Sequence, residues 1–562
     1  MRAVNILSGQ LQRTVIVLLC LGVASLAMGC TDDQRAKESK SPGIASTPAY
    51  GGVYRIPLGD EPITLDPALT TDIHGFSVVQ QLFDGLVQFD ADLNVIPSIA
   101  KAWSASRDGL TWTFQLHQGV TFHNGREVTA ADFVYSFTRL LDAKTKSPQA
   151  WLFDRVQGAN QFLAGTAERV EGFRALNRHT LQITLSEPYA PFINMLGVAQ
   201  AKVVPREDIE RLGSEFGHQP IGTGPFRFVK WVAGKEIVLQ ANEAYFEGRP
   251  FLDQLHYQIF PAYDLETILA RFEAGEVEEA MIPAQERQRL IKKSRYRFFR
   301  KPILSTLFLW INMRDPPLNN VKVRQAINYA IDRAAMNETI RKSRYIQARG
   351  ILPPGMPGHD PELLGYTYDP QRARRLLAEA GYPGGKDLPP LELWSSVVSP
   401  EALAEHEVIK QQLEQIGITA ELRTADNWKL YKAELLGKRS RALCRYAWYA
   451  DFPDPDHFLF ILFHSQSPNN FANYHNPQVD QLLEQARREF DYLNRVRLYR
   501  QAEAIIMHDA PTVNLLYYTF EGLFQPYVRG IKLNALGEQY LPRKKIWLDA
   551  AYEAPGNNAK SQ

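Results

Sequence analysis

Asp451, Asp454 and Asp456 crowd into the stretch RYAWYADFPDPDHFL (445–459), where a carboxylate stands just behind Trp448 and Tyr449. Three acids so close could hold calcium. An EF-hand loop, however, wants acids at alternate positions and a glycine at the sixth, which here is Asp456, and Pro453 and Pro455 would stiffen it. Two roles remain open. One of the aspartates caps the helix that HFLFILF (457–463) begins, with the prolines ending a strand. Alternatively, Asp451 is the anionic half of a binding site for a cationic group.

Other combinations that could do chemistry fail on spacing. HEVIK at His406 lacks the second histidine of a zinc helix. GSEFG at Gly213 carries Ser214 one place too early for a nucleophile elbow. GTGPFR at Gly222 lacks the third glycine and precedes a strand, so it cradles no phosphate. The 12 histidines are scattered and read as surface or hydrogen-bonded core residues. Cys444, in the strand-like ALCRYAW, reads as a small buried hydrophobe. No catalytic residue, metal site or cofactor is expected.

The elements that must position Asp451 belong to a chain of 562 residues, long enough for several compact units. Its 63 basic and 62 acidic residues leave no broad field for nucleic acid. GGVYRIPL (51–58) reads as a strand, and GFSVVQQLFDGLVQFD (75–90) as a helix becoming a strand at Gly85. LTWTFQLHQGVTF (110–122) puts Trp112, Phe114 and Leu116 on one face of a strand before a turn at Gly119. TAADFVYSFTRLLD (129–142) starts at an N-cap Thr129, with Phe133 and Phe137 at helical spacing and Asp132 in the first turn. NNVKVRQAINYAID (319–332) and DPQRARRLLAEAG (369–381) are capped helices. Irregular alternation of strands and helices predicts the α/β class.

Arg2 and Arg13 precede the apolar run TVIVLLCLGVASLAM (14–28), which ends at Gly29 and Cys30 and is short for a membrane span of about 20 residues. The pattern predicts an export signal over 1–29. AMGC resembles a bacterial lipobox, which implies that Cys30 becomes the lipid-bearing first residue. It departs from that pattern at Ala27 and Met28, which keeps plain signal cleavage as the alternative. Residues 30–50, polar and charged, suit a flexible tether. Of three cysteines only Cys444 lies in the body, so the mature domain has no internal disulfide.

Seven phrases spread along the exported body resemble, in family order, the oligopeptide- and dipeptide-binding proteins of bacterial ABC importers. They are ITLDPALTTD (63–72), IAKAWSASRDGLTWTFQLHQGVTFHNGREVTAADFVYSFTRLLD (99–142), PIGTGPFRFVKW (220–231), NMRDPPLNNVKVRQAINYAIDR (312–333), YDPQRARRLLAEAGYP (368–383), WYADFPDPDHFL (448–459) and NYHNPQVDQLLEQA (473–486). The resemblance implies a two-lobed clamshell of the type II periplasmic-binding-protein kind, in its large peptide-binding subclass, with an extra domain inserted in lobe I. Lobe I would comprise 51–83, 208–300 and 510–552, the insertion 84–207, lobe II 301–509, and 553–562 a tail. The implied function is capture of peptides between the lobes and delivery to a permease, by a monomer on the periplasmic or cell-surface side of the membrane.

The same resemblance implies the site. Asp451, in the family's W-x-A-D phrase, would pair with a peptide's N-terminal ammonium. Backbone at Ala447 to Tyr449 would pair the ligand from lobe II, and Thr71, Asp72 and Ile73 from lobe I. Trp448 and Tyr449 would wall it, and Arg445 could meet its carboxylate end. Relatives bind other solutes, so an oligosaccharide, metal chelate, haem or opine is the alternative on the same fold; retention of the acid at 451 favours an amine. An extracytoplasmic hydrolase or sensor is the third reading, and no nucleophile–base pairing supports it.

Overall fold

The computed structural model describes residues 47–549, apart from 294, 426, 437 and 438. The expected export signal, Cys30, most of the tether and the tail lie outside the described residues. Alternation places the first strand: in Val53–Leu58, Tyr54, Ile56 and Leu58 are buried and the residues between them are less so. This strand lies parallel to Gln254–Ile259, and Glu236–Ala241 and Phe226–Val232 follow antiparallel. A three-stranded sheet, with Thr519–Phe524 between Glu279–Met281 and Arg297–Pro302, adjoins it where the Glu278 N–H meets the Arg55 carbonyl at 2.9 Å.

A second layer system stands apart with its own core. Ala100–Ala105, Thr111–Leu116, Thr180–Thr184 and Phe173–Asn177 form an antiparallel sheet in that order. Trp112, Phe114 and Leu116 are buried on one face, as their spacing requires, and the chain turns at Gly119 with φ +76°. The helix Ala130–Leu141 covers the sheet with Phe133 and Phe137, each fully buried and worth about 1.5–3 kcal/mol against exposure. Its first turn is held by Asp132, which accepts the Thr129 amide at 2.8 Å.

The third body is built on a six-stranded sheet in the order Ile346–Gln347, Thr512–Tyr517, Ser305–Ile311, Ala442–Tyr449, Leu391–Ser395, Ala420–Thr424. STLFLWI (305–311) is buried at every residue, because both faces of the sheet are covered. Phe308, Trp310, Cys444 and Tyr446 face the helices Asp456–Phe463, Pro477–Arg488 and Tyr492–Asp509. Leu307, Leu309, Ile311 and Leu443 face Val321–Ala330, Pro370–Glu379 and Pro400–Gln415.

The chain crosses between the first and third bodies twice, at Ile303–Leu304 and at Tyr518, and the Ile303 N–H reaches the Tyr518 carbonyl at 3.0 Å. The molecule is thus an α/β two-lobed clamshell with an inserted domain. Its return crossing differs from the expectation at 510: the strand Thr512–Tyr517 pairs with Ser305–Ile311 in the second lobe, and only from Thr519 does the chain rejoin the first. PTVNLLY is mostly apolar, with Thr512 and Asn514 buried among its apolar residues, so its residue types suit either sheet, and pairing alone assigns it. Among the described residues no helix is long and apolar enough to cross a membrane.

Candidate functional site

Ala442–Tyr449 is a central strand of the second lobe, and its C-terminal end lies beside the crossing, with Tyr449 paired to Ser305. Five of the expected site residues therefore come together at one strand end: Arg445, Ala447, Trp448, Tyr449 and, two residues past the strand, Asp451. Alternation divides them. Tyr446 and Trp448 share the face of the C-terminal helices, stacked at 6.3 Å, while Arg445 and Tyr449 share the opposite face. Tyr449 is 52% exposed and stacks on Tyr518 at 5.8 Å. Desolvation by the surrounding protein nonetheless raises its hydroxyl pKa above the ordinary value.

Asp451 does not cap the following helix. That helix, Asp456–Phe463, is served by Asp454, whose Oδ1 accepts the Asp456 N–H at 3.0 Å. Asp454 is further fixed by Arg495 and by Asn194 at 3.1 Å; Asp456 by Arg487 at 2.7 Å and the Tyr189 hydroxyl at 2.8 Å. Both are fully buried, and Tyr189 and Asn194 come from the inserted domain.

Asp451 is left facing outward, its side chain 47% exposed. His457 holds it by one oxygen. The indole N–H of Trp448 points at His457 Nδ1, at 3.2 Å, and at the His457 carbonyl, at 2.7 Å, so the hydrogen-bond network assigns the ring proton to Nε2. Nε2 then donates to Asp451 Oδ2 at 3.0 Å. Oδ1 has no hydrogen-bond partner among the described residues. From the other lobe the Tyr540 hydroxyl reaches the Asp451 carbonyl at 3.4 Å, and burial, then the Asp451 charge, raises its pKa so that it stays a donor.

Two expectations need correction. Thr71 to Ile73 is not extended throughout: Asp72 caps the helix Ile73–Leu82 by accepting the Gly75 N–H at 2.7 Å, so Ile73 is already helical. The first lobe offers Thr71 and the exposed first turn rather than a strand. Arg445 is not waiting for a ligand. Its side chain is 5% exposed and donates from Nη1 to Glu405 Oε2 at 2.7 Å. Glu405, His457, Tyr518 and Tyr540 contact the candidate residues Arg445, Asp451 and Tyr449, and the sequence reading missed them. His457 was visible six residues after Asp451 in the same phrase. The others come from distant segments with no local signal. Among the described residues no group of three His, Cys, Asp or Glu side chains could hold a metal ion.

An outward carboxylate, held by an imidazole and flanked by aromatic rings at a lobe crossing, can accept a charge-assisted hydrogen bond from a cationic donor such as an ammonium. Comparison with known proteins identifies the family. The model for the middle region of bacterial extracellular solute-binding proteins, family 5, matches residues 94–470. The chain is 30% identical over 515 residues to the probable di/tripeptide-binding protein 5 of Pseudomonas aeruginosa, covering 86% of this chain and 95% of that one. It is 28% identical to heme-binding protein A of Haemophilus influenzae, over 92% and 97% of the two chains. The structure of the periplasmic binding protein DppA from Helicobacter pylori, in complex with the peptide STSA, superposes with a TM-score of 0.73 at 28% identity, over 89% and 99% of the chains.

Proposed function

The chain belongs to the bacterial extracellular solute-binding proteins of family 5, and from that membership we propose that it captures peptides between its lobes and hands them to an ABC transporter permease. The observation that carries this reading is Asp451 Oδ1, an outward carboxylate oxygen whose twin is held by His457. Peptides of any sequence share a terminal ammonium and a hydrogen-bonding backbone. A general carrier reads those and leaves side chains to roomy recesses.

In this reading the protein binds without chemistry, as a monomer, and closes by rotation about the paired crossings at Ile303 and Tyr518. Lobe I is made by 51–83, 208–300 and the residues after Tyr518, and the insertion by 84–207. Cys30 carries a lipid anchor that keeps the protein on the outer side of the membrane, in a periplasm or at a cell surface. Similarity to a haem-binding relative keeps haem as the second solute to test. Mass spectrometry of ligands retained through gentle purification, followed by thermal shift with free peptides and with haem, decides between them. Peptides that raise the melting temperature by mass action support the reading; stabilisation by haem and by no peptide would replace it.

A further inference from the structure

The loop that follows Asp451 ties the second lobe to the inserted domain. Phe452 is 2% exposed, lies within the apolar cluster of the insertion, and stacks on Trp151 at 6.4 Å. Beyond it, Asp454 Oδ2 accepts the Asn194 side-chain amide at 3.1 Å, and Asp456 Oδ2 accepts the Tyr189 hydroxyl at 2.8 Å. The Ala190 N–H donates to the Arg487 carbonyl at 2.7 Å. Two guanidiniums lie near the Tyr189 ring centre, Arg155 of the insertion at 4.5 Å and Arg487 of the second lobe at 5.1 Å. Burial, then the charge on Asp456, raises the Tyr189 hydroxyl pKa, so the hydroxyl stays a donor.

The insertion itself belongs mechanically to the first lobe. Both its ends run into that lobe, Arg139 reaches back to Asp66 with Nη1 on Oδ1 at 2.8 Å, and the His123 N–H meets the Gly222 carbonyl at 2.7 Å. No covalent connection joins it to the second lobe, so a rotation about Ile303 and Tyr518 that parts the lobes also parts the insertion from the second lobe. Such a parting exposes Phe452 and takes one donor from each of two carboxylates. It strands no charge. Asp454 keeps Arg495, and Asp456 keeps Arg487 at 2.7 Å, each a partner from its own lobe. The donors that the insertion supplies are neutral, and they count only in the difference between the latched and the parted forms.

We propose that Tyr189 and Asn194 are positioning residues that form a latch: through Asp456 and Asp454 they hold the insertion against the second lobe and fix the loop that carries Asp451. The latched form is populated before any solute arrives, and closing on the solute proceeds from it. Apparent affinity then scales with the fraction of molecules in that form. The inference deepens the reading of a rotating two-lobed binder given above, and its first readout needs no peptide.

That readout is the separation of the insertion from the second lobe, measured by double electron–electron resonance on the exported chain freed of retained solute. Spin labels are carried on bioorthogonal residues at the exposed Leu163 and Leu493. Wild type, Tyr189→Phe, Asn194→Ala and Tyr499→Phe are compared. The Tyr499 hydroxyl meets the same carboxylate, at Asp456 Oδ1 and 3.4 Å, from within the second lobe, so its removal disturbs the ionic group and leaves the latch in place. The wild type is expected to show a short-distance population. Tyr189→Phe and Asn194→Ala should each lower the latched-to-parted ratio by about tenfold, as the loss of a hydrogen bond to a charged group would, and Tyr499→Phe should leave it unchanged. Calorimetry with trialanine should then show affinity falling in each variant by the factor by which its latched fraction falls. Asn194→Ala carries the test even where Tyr189→Phe does not fold. A wild type with no short-distance population, latch variants with the wild-type distribution, an affinity that ignores a fallen latched fraction, or a Tyr499→Phe shift as large as that of Tyr189→Phe overturns the proposal. If the distances shift as expected while no peptide binds any of the proteins, the latch stands and the peptide reading falls.

Discussion

Replacing Asp451 by asparagine removes a charge and almost nothing else. The asparagine carbonyl can still accept the His457 Nε2–H now 3.0 Å from Oδ2, so the loop keeps its anchor and stability should change by less than about 0.5 kcal/mol. What is lost is the partner of the ligand's ammonium. Breaking a buried charge pair on one side costs about 2–5 kcal/mol, because the survivor is left desolvated. Since the Asp451 side chain is 47% exposed before closure, the lower end applies, about 2 kcal/mol or roughly 30-fold in affinity. Acetylating the peptide's amine removes the other partner and should cost the wild type the same. Calorimetry on the four combinations of wild type or Asp451→Asn with free or acetylated peptide gives the coupling. The acetylated peptide should bind both proteins alike, a coupling of about 2 kcal/mol. Additive losses would refute the ion pair and with it the reason given for Asp451's orientation.

Cys30→Ser should release the protein from membranes into the soluble extract, checked by fractionation and by mass of the mature N terminus; unchanged retention would end the lipid-anchor reading. Asp456→Asn leaves Arg487, now 2.7 Å from that carboxylate, buried without its counterion, and should cost about 3–5 kcal/mol in denaturant unfolding. Burial raises Glu503 to about 7, above the ordinary value near 4.5. The folded state therefore holds a proton that the unfolded state has lost, and stability falls as pH rises from about 4.5 to 7. Glu503→Gln, which still offers an oxygen to the Ile351 and Leu352 amides, should flatten that loss and melt higher than the wild type at pH 8, by up to about 3 kcal/mol.

Local signals in the sequence located several helix starts and one strand face. Thr129, Asn320 and Asp369 stand at helix starts where their residue types place them, and Trp112, Phe114 and Leu116 share a buried face. Asp72 was equally legible as a cap, an aspartate ahead of an apolar helix. The expectation that Thr71 to Ile73 would pair a ligand followed the likeness to relatives instead of the residues themselves. Arg445 shows the opposite limit. Glu405 lies 40 residues before it, and Arg341 lies 64 residues before Glu405, so their meeting depends on how helix Pro400–Gln415 packs on the sheet. No periodicity records that contact, and a pattern match at Arg445 says nothing of which carboxylate it meets.

The adjacency of Ile303 and Tyr518 also bears on the order in which the polypeptide can mature. Everything between them forms one sheet with its covering helices, closed by its own last strand, so this half can assemble as soon as residue 517 is available. The first lobe cannot. Its strand Thr519–Phe524 is the middle member between Glu279–Met281 and Arg297–Pro302, and Glu521 there pairs with Arg287 across 234 residues. Until the final stretch of chain emerges on the far side of the membrane, those two strands face an empty slot, with unpaired edges open to other chains. The late half is thus the one in need of protection during export, and truncation after Tyr518 would leave a sound second lobe beside a first lobe that never closes its sheet.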